Sequence, residues 1–270
     1  LSQFPEHRTV LLADMSLRSS QAMTHDVRDM VPGLTELVDA HRLGTPVDDE
    51  IASTIFDLPD RGYHLLLGLR HERDWMTVSS RALNSAWRSL ERLYQTTVAD
   101  ITAEFDGIDE TGSSDIEDRN RLARVAARRA DVVVAVGEPG AWGIHRLVRT
   151  IVALHELGVD AGRILPCVNQ APRQPRLRAG ISAALADLLA TRLADAHRLP
   201  NPVYCPHRKQ IEALTRDAEP LPSSLVDPIT GAVRGLLQMT DARSPESVGA
   251  MPEPVAVVPG SLGTWSEDDD

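Results

Sequence analysis

The feature that most constrains this chain is a series of short apolar runs that do not alternate with polar residues. They fall at Thr9–Ala13, Tyr63–Leu69, Thr96–Ile101, Asp131–Gly137, Ile164–Asn169 and Pro202–Cys205. A strand with one wet face alternates apolar and polar side chains, whereas a strand covered on both faces need not. These runs therefore read as parallel strands buried under helices. The segments between them carry the helical repeat. Ser79 and Ser80 can cap a helix whose apolar face is Leu83, Ala86, Trp87, Leu90 and Tyr94. A second face, Ile144, Leu147, Val148, Ile151 and Leu154, stops at Gly158, a good helix terminator. A third runs through Ile181, Ala184, Leu185, Leu188 and Leu189. This alternation predicts an α/β fold: a doubly wound, mostly parallel sheet with helices on both faces and right-handed crossovers.

The 270 residues are 42% apolar, enough to give one large domain a proper core. After Met239 the pattern lapses, and residues 240–270, rich in Pro, Ser, Gly and acid, are expected to form a disordered tail. A net charge of −11 argues against binding nucleic acid through overall charge. Cys167 and Cys205 lie far apart in strand-like runs and read as buried small hydrophobes, with a reducing cytoplasm as the expected location. No apolar run approaches the ~18 residues of a membrane helix. The start, LSQFPEHRTV, lacks a signal-peptide pattern and begins with Leu, so a fragment or a displaced start is expected. His64 and His71 have no Cys or His at ligand spacing, and no metal site is expected from them.

Chemistry in an open α/β sheet sits beyond the carboxyl ends of its strands. Here those ends carry Asp14, Asp100 and Asn169, and the last short strand leads into Pro206 and His207. Two acids so placed can hold magnesium directly or through water, and an Asn amide can both donate to and accept from a purine edge. The same residue types also open turns and cap helices. Each alone reads more simply as a cap, and it is their order along the chain that favours a site.

That order resembles the MinD/ParA family of deviant P-loop ATPases, including its CpaE/TadZ pilus-assembly branch. VLLADMSLRSSQA is similar to the family's strand running into an Asp-x-Asp switch, and GLTELVDAHRLG to the short helix after it. YHLLLGLRHERDW resembles the "Leu-Leu-x-Gly" strand, and YQTTVADI the strand carrying the Walker B acid. ADVVVAVGEPGAWGIHRLVRTI resembles the "ADxVxxVxxP" strand and its helix. ILPCVNQAPR is similar to the strand ending in an adenine-reading Asn, and VYCPHRKQIEALTRDAEPL to the closing segment. The resemblance spans roughly residues 8 to 238 and implies a P-loop NTPase-like fold that binds ATP and Mg2+, dimerises on nucleotide and acts on a protein partner. It implies that Asp14 supports magnesium near the switch and that Asp100 polarises a magnesium-bound water. It also implies that Asn169 reads adenine, with Pro206 and His207 shaping the base pocket.

Two departures stand out. In the family, a strand and a Gly-rich phosphate loop with an invariant Lys precede the VLLxD strand, yet no G-x-x-x-x-G-K-[ST] occurs in this sequence. The expected organisation is thus a remnant at 1–8, a domain at 9–239 lacking its first strand and phosphate loop, and the tail. The second switch acid falls at Ser16, whose hydroxyl carries no charge at neutral pH, which sets rapid hydrolysis in doubt.

The resulting expectation is an ATP-binding switch that positions division, pilus, secretion or DNA-partition machinery. The rival is a degenerate, non-hydrolysing scaffold of the same fold. A more distant relative, such as a cobyrinate-amidating or dethiobiotin-type synthase, ranks last because no substrate pocket is visible. RNRLARVAARR, at 119–129, is a basic helix face of the kind that binds DNA backbone in partition proteins. Pairing with Asp115, Glu117 and Asp118 is the simpler reading. PRQPRLR, at 172–178, is a second basic stretch, read as a helix-entry loop. The tail is too acidic and Pro-rich for an amphipathic membrane helix, and no G-x-S-x-G nucleophile elbow is present.

Overall fold

The computed structural model describes residues 10–27 and 31–243. In chain order the elements are β1 (Val10–Asp14), α1 (Gln21–Thr24), α2 (Leu34–Leu43), α3 (Asp48–Ala52), β2 (Phe56–Leu58) and β3 (Tyr63–Leu66). There follow α4 (Ser80–Leu93), β4 (Thr96–Asp100), α5 (Ile108–Thr111), α6 (Ser114–Arg119), α7 (Arg121–Arg129), β5 (Val133–Gly137) and α8 (Ala141–Glu156). The last are β6 (Ile164–Ala171), α9 (Pro175–Ala190), β7 (Val203–Pro206), α10 (Ile211–Arg216) and α11 (Ser223–Arg243). The fold is α/β and doubly wound, as the apolar runs predict.

The strands form two sections, β2-β3-β1-β4 and β5-β6-β7, parallel throughout except for the antiparallel edge strand β2. β1 is the most enclosed strand of its section. On one face Leu11 and Ala13 pack with Leu34, Leu37 and Val38 of α2, Leu83, Ala86 and Leu90 of α4, and Leu122 and Ala126 of α7. On the other, Leu12 meets Ala22, Leu65 and Leu67. In the second section Val133 and Ala135 share a core with Ala123 and Ala127 of α7, with α8 and with Leu185 and Leu189 of α9. The opposite face, Leu165, Cys167, Val203 and Cys205, is covered by α11. α7 thus lies across both sections, one pair of its apolar residues in each core.

The local chemistry of the helices follows the sequence. The Ser79 side chain caps α4 by accepting from the Ala82 N–H, and α8 ends just before Gly158, whose φ of 96° suits a residue without Cβ. Several expectations are corrected. The run Tyr63–Leu69 pairs only to Leu66; beyond it the Leu67 carbonyl accepts the Leu34 N–H at 2.7 Å, and Leu67 and Leu69 are buried outside the strand. β6 continues past Asn169 to Ala171, and the last strand runs one residue later than Pro202–Cys205. Of the apolar face expected on α9, Leu185 and Leu189 are buried while Leu188 is exposed. β2 falls in a segment not read as a strand. α11 continues to Arg243, past the expected end at Met239, and the rest of the expected tail lies outside the described residues.

Candidate functional site

Asp14 and Asp100 end adjacent parallel strands and stand opposite each other in register. Asp14 is wholly buried, and the loop that follows it is wound around its carboxylate. Oδ1 accepts the Ser16 N–H at 3.2 Å. Oδ2 accepts the Ser19 hydroxyl at 2.5 Å and the N–H groups of Ser20 and Gln21, each at 3.0 Å. Four donors converging on one carboxylate satisfy the burial of a charge and tie down the entry to α1. Asp14 thus holds the loop that follows its own strand.

Gln21 also reaches sideways. Its side-chain amide donates to Asp100 Oδ2 at 2.6 Å, so the two acids are joined through one residue. Ser16 is buried, and its hydroxyl is directed at the Asp100 backbone carbonyl, 3.4 Å away. Gly68 closes the other side. A Cβ there would sit 2.8 Å from the Asp14 carbonyl oxygen and 3.0 Å from its carboxyl carbon. Farther out, Arg18 pairs with Glu72, and Arg119 bridges Glu72 and Glu104. Hydrogen bonds from Arg18 and then Arg119 hold the Glu72 carboxyl below the usual carboxylate range. This chain of charges links the loops after β1, β3 and β4.

At the carboxyl end of the second section, Asn169 is exposed and its Oδ1 accepts the N–H of Gln170, a residue in the left-handed region at φ 52°. The pairing resumes at Ala171 opposite Pro206, followed by the exposed His207. Arg178 stacks over the Tyr204 ring at 5.3 Å. Beneath this end, Cys167 and Cys205 are buried with their sulfurs 3.7 Å apart. Burial, and secondarily the neighbouring Cys205, pushes the Cys167 thiol up to about 12. Both behave as the small hydrophobes expected.

The structure therefore brings Asp14 to Asp100, and Asn169 to the neighbourhood of Pro206, each pair at the carboxyl ends of its own section. It adds residues the motif reading passed over: Ser19, Ser20 and Gln21, which hold the acids, and Gly68. A signal for the turn was present in Asp14 itself, since an Asp side chain at a strand end can accept the backbone N–H groups of the residues that follow.

As a direct magnesium ligand Asp14 fits poorly, because it would first have to give up donors from its own loop. Asp100 fits better, with Oδ1 outside the Gln21 bond. Among the described residues no group of three or more His, Cys, Asp or Glu could hold a metal, so a magnesium ion here would rely mostly on water and phosphate oxygens.

The basic face is largely neutralised. Arg121 pairs with Asp118, Arg124 with Glu110 and Glu117, and Arg129 with Glu91. These arginines line a cavity of ≈ 390 Å³ between α4 and α7, shared with Ser80, Asn84 and Arg128. It is lined by none of the strand-end residues.

No family model and no curated relative matches the chain. Solved structures do. A ParA family ATPase from Chlorobium tepidum superposes with a TM-score of 0.57 over 88% of each chain, at 13% identity. The fold is that of the ParA and MinD ATPases. The septum site-determining protein MinD from Pyrococcus horikoshii, complexed with Mg-ADP, gives a TM-score of 0.54 at 14% identity, over 89% of this chain and 84% of its own. The MinC:MinD cell division complex of Aquifex aeolicus gives 0.53 at 14% identity, over 90% and 85%.

Proposed function

We propose that this chain is a ParA/MinD-type ATP-binding switch, with its adenine side at Asn169, Pro206 and His207 and its magnesium side at Asp100. The observation that supports the reading is the position of these residues at or near strand carboxyl ends in a chain with the ParA/MinD fold. Asn169 keeps its amide N–H groups for a ring nitrogen while its oxygen holds Gln170. Pro206 and His207 flank the base. Asp100, whose Oδ1 is outside the Gln21 bond, would hold a hydrated magnesium ion, which would supply charge neutralisation for the phosphates of ATP. In the nucleotide-bound state two copies pair and engage a protein partner, as part of cytoplasmic division, pilus, secretion or partition machinery of the CpaE-like kind.

Within this reading hydrolysis is slow. Ser16 brings no charge to the switch, and Asp14 is committed to its own loop. The same two observations favour a second reading, in which the chain is a scaffold of this fold that does not turn over nucleotide.

Calorimetric titration of the complete gene product with Mg-ATP tests the proposal. Binding that Asn169→Ala weakens by about ten-fold, close to the cost of one lost hydrogen bond, supports it. Absence of any binding leaves the scaffold reading in its place.

A further inference from the structure

We propose that the cavity between α4 and α7 is a binding site for a small molecule carrying two or more phosphate groups, separate from the strand ends. Its lining holds four arginines, Arg121, Arg124, Arg128 and Arg129, against one acid, Glu117. Arg121, Arg124 and Arg128 recur at helical spacing along one face of α7, and Arg129 follows. The helix thereby gathers like charges that repel one another, and an anion among them relieves that repulsion.

The four guanidinium groups are held in place by neutral oxygens. Arg121 donates to the Val78 carbonyl and Arg124 to the Phe105 carbonyl. Arg128 Nε donates to the Leu157 carbonyl at 3.2 Å, and Arg129 Nη2 to Asn84 Oδ1 at 3.3 Å. These acceptors belong to the entry to α4, the loop after β4, the end of α8 and the body of α4. They fix each group without cancelling its charge, which is the preorganisation that a polar ligand site needs. Gly107 takes part as well. A Cβ there would stand 2.6 Å from both Nη atoms of Arg124, so its missing side chain lets the guanidinium lie against the loop.

Ion pairing does not use up the array. Asp118 pairs with Arg121 and Glu91 with Arg129, both acids from outside the lining. Arg124 is 8% exposed, yet Glu117 and Glu110 stop 3.8 and 4.0 Å from it, beyond hydrogen-bonding distance. Those carboxylates are occupied with backbone: Glu110 accepts the Gly107 N–H at 2.6 Å, and Glu117 the Ile108 N–H at 3.0 Å. Arg128 forms no ion pair among the described residues. A guanidinium has five N–H donors, and Arg124 and Arg128 each give one to a carbonyl. The surplus donors are forks that match phosphate oxygens two at a time. A cavity of ≈ 390 Å³ is larger than one phosphate needs, and several forks around it suit a ligand with more than one.

Calorimetric titration of the chain with inorganic pyrophosphate, without magnesium, tests this. The expected result is saturable binding with Kd below about 1 mM. Arg128→Gln should weaken it about ten-fold, the loss of a charge-assisted contact, while Asn169→Ala leaves it unchanged. Arg128 is exposed, so its replacement should spare the fold. Ser80→Asp is the second variant. It lies in the first turn of α4, where an acid suits the helix dipole, and its charge repels an anion in the cavity, so a similar loss is expected. Absence of saturable binding overturns the proposal, as does binding that neither variant weakens. Binding that Asn169→Ala weakens equally would move the anion to the strand ends and overturns it too. So does a short DNA duplex that binds more tightly than pyrophosphate and loses that affinity in Arg128→Gln, because the arginines would then serve a nucleic-acid backbone. The pyrophosphate and Mg-ATP titrations respond to different variants, so either reading can fail alone.

Discussion

Asp14 and Asp100, opposite each other on adjacent parallel strands, are bridged by Gln21, which gives its backbone N–H to the first at 3.0 Å and its side-chain amide to the second at 2.6 Å. The two acids are nonetheless unequal. Asp14 is buried and accepts four hydrogen bonds, whereas Asp100 is half-buried and keeps an oxygen clear of Gln21.

Substitution should expose that inequality. Asp14→Ala strands several buried donors and is expected to cost about 3 kcal/mol of stability, against about 1 kcal/mol for Asp100→Ala. Urea unfolding measures both. Equal costs would mean that the loop does not depend on Asp14 as its hydrogen bonds indicate.

Gly68 tests the same loop from outside. Its missing side chain leaves room for the Asp14 backbone carbonyl, and a methyl group would arrive at 2.8 Å from that oxygen. Because the obstacle is backbone, it cannot swing aside. Gly68→Ala is expected to cost about 2 kcal/mol, as overpacked cores do. Gly44→Ala, where a methyl meets nothing within 4 Å, is the control, and thermal melts of the two variants should separate clearly.

His25 offers a pH test. Burial, opposed by its hydrogen bond to the Gln21 carbonyl, holds this imidazole below its ordinary value, and Tyr63 Oη lies 2.8 Å from Nε2. A histidine with a lowered folded pKa is protonated more readily in the unfolded chain. Stability should therefore be complete above about pH 6.5 and fall as the pH drops from there toward the folded value. Carboxylates held low, such as Glu72, lose their contribution only at more acid pH. His25→Asn should flatten the decline between pH 6.5 and 5 in urea titrations; an unchanged slope would assign it to other groups.

The cysteine pair predicts inertness. With both thiols buried and Cys167 pushed up to about 12, thiolate is scarce at neutral pH. Ellman's reagent should react about 100-fold more slowly with the native chain than with the urea-unfolded one. Rapid native reaction would contradict the enclosure of this strand pair by α11.

Much of the architecture was written in local pattern. The apolar runs at Val133–Gly137 and in β6 marked strands, and the repeat of Leu147, Ile151 and Leu154 marked a helix facing them. The strand-ending Asp14 and Asp100, and Asn169 two residues short of the end of β6, were legible for the same reason, since a polar residue after such a run marks the sheet rim. β2 was not legible, because three residues paired at an edge leave almost no periodicity. Nor was the outward turn of Leu188, which depends on how α9 sits on β6 and β7.

The sequence by itself determined which segments are strands and helices and which polar residues stand at their ends, because those follow from the spacing of side chains along one backbone. What each polar group does was decided only by tertiary structure. The commitment of Asp14 to Ser16, Ser19, Ser20 and Gln21, and the division of the sheet between β4 and β5, depend on which atoms the fold brings within hydrogen-bonding distance. Side-chain spacing carries no record of that.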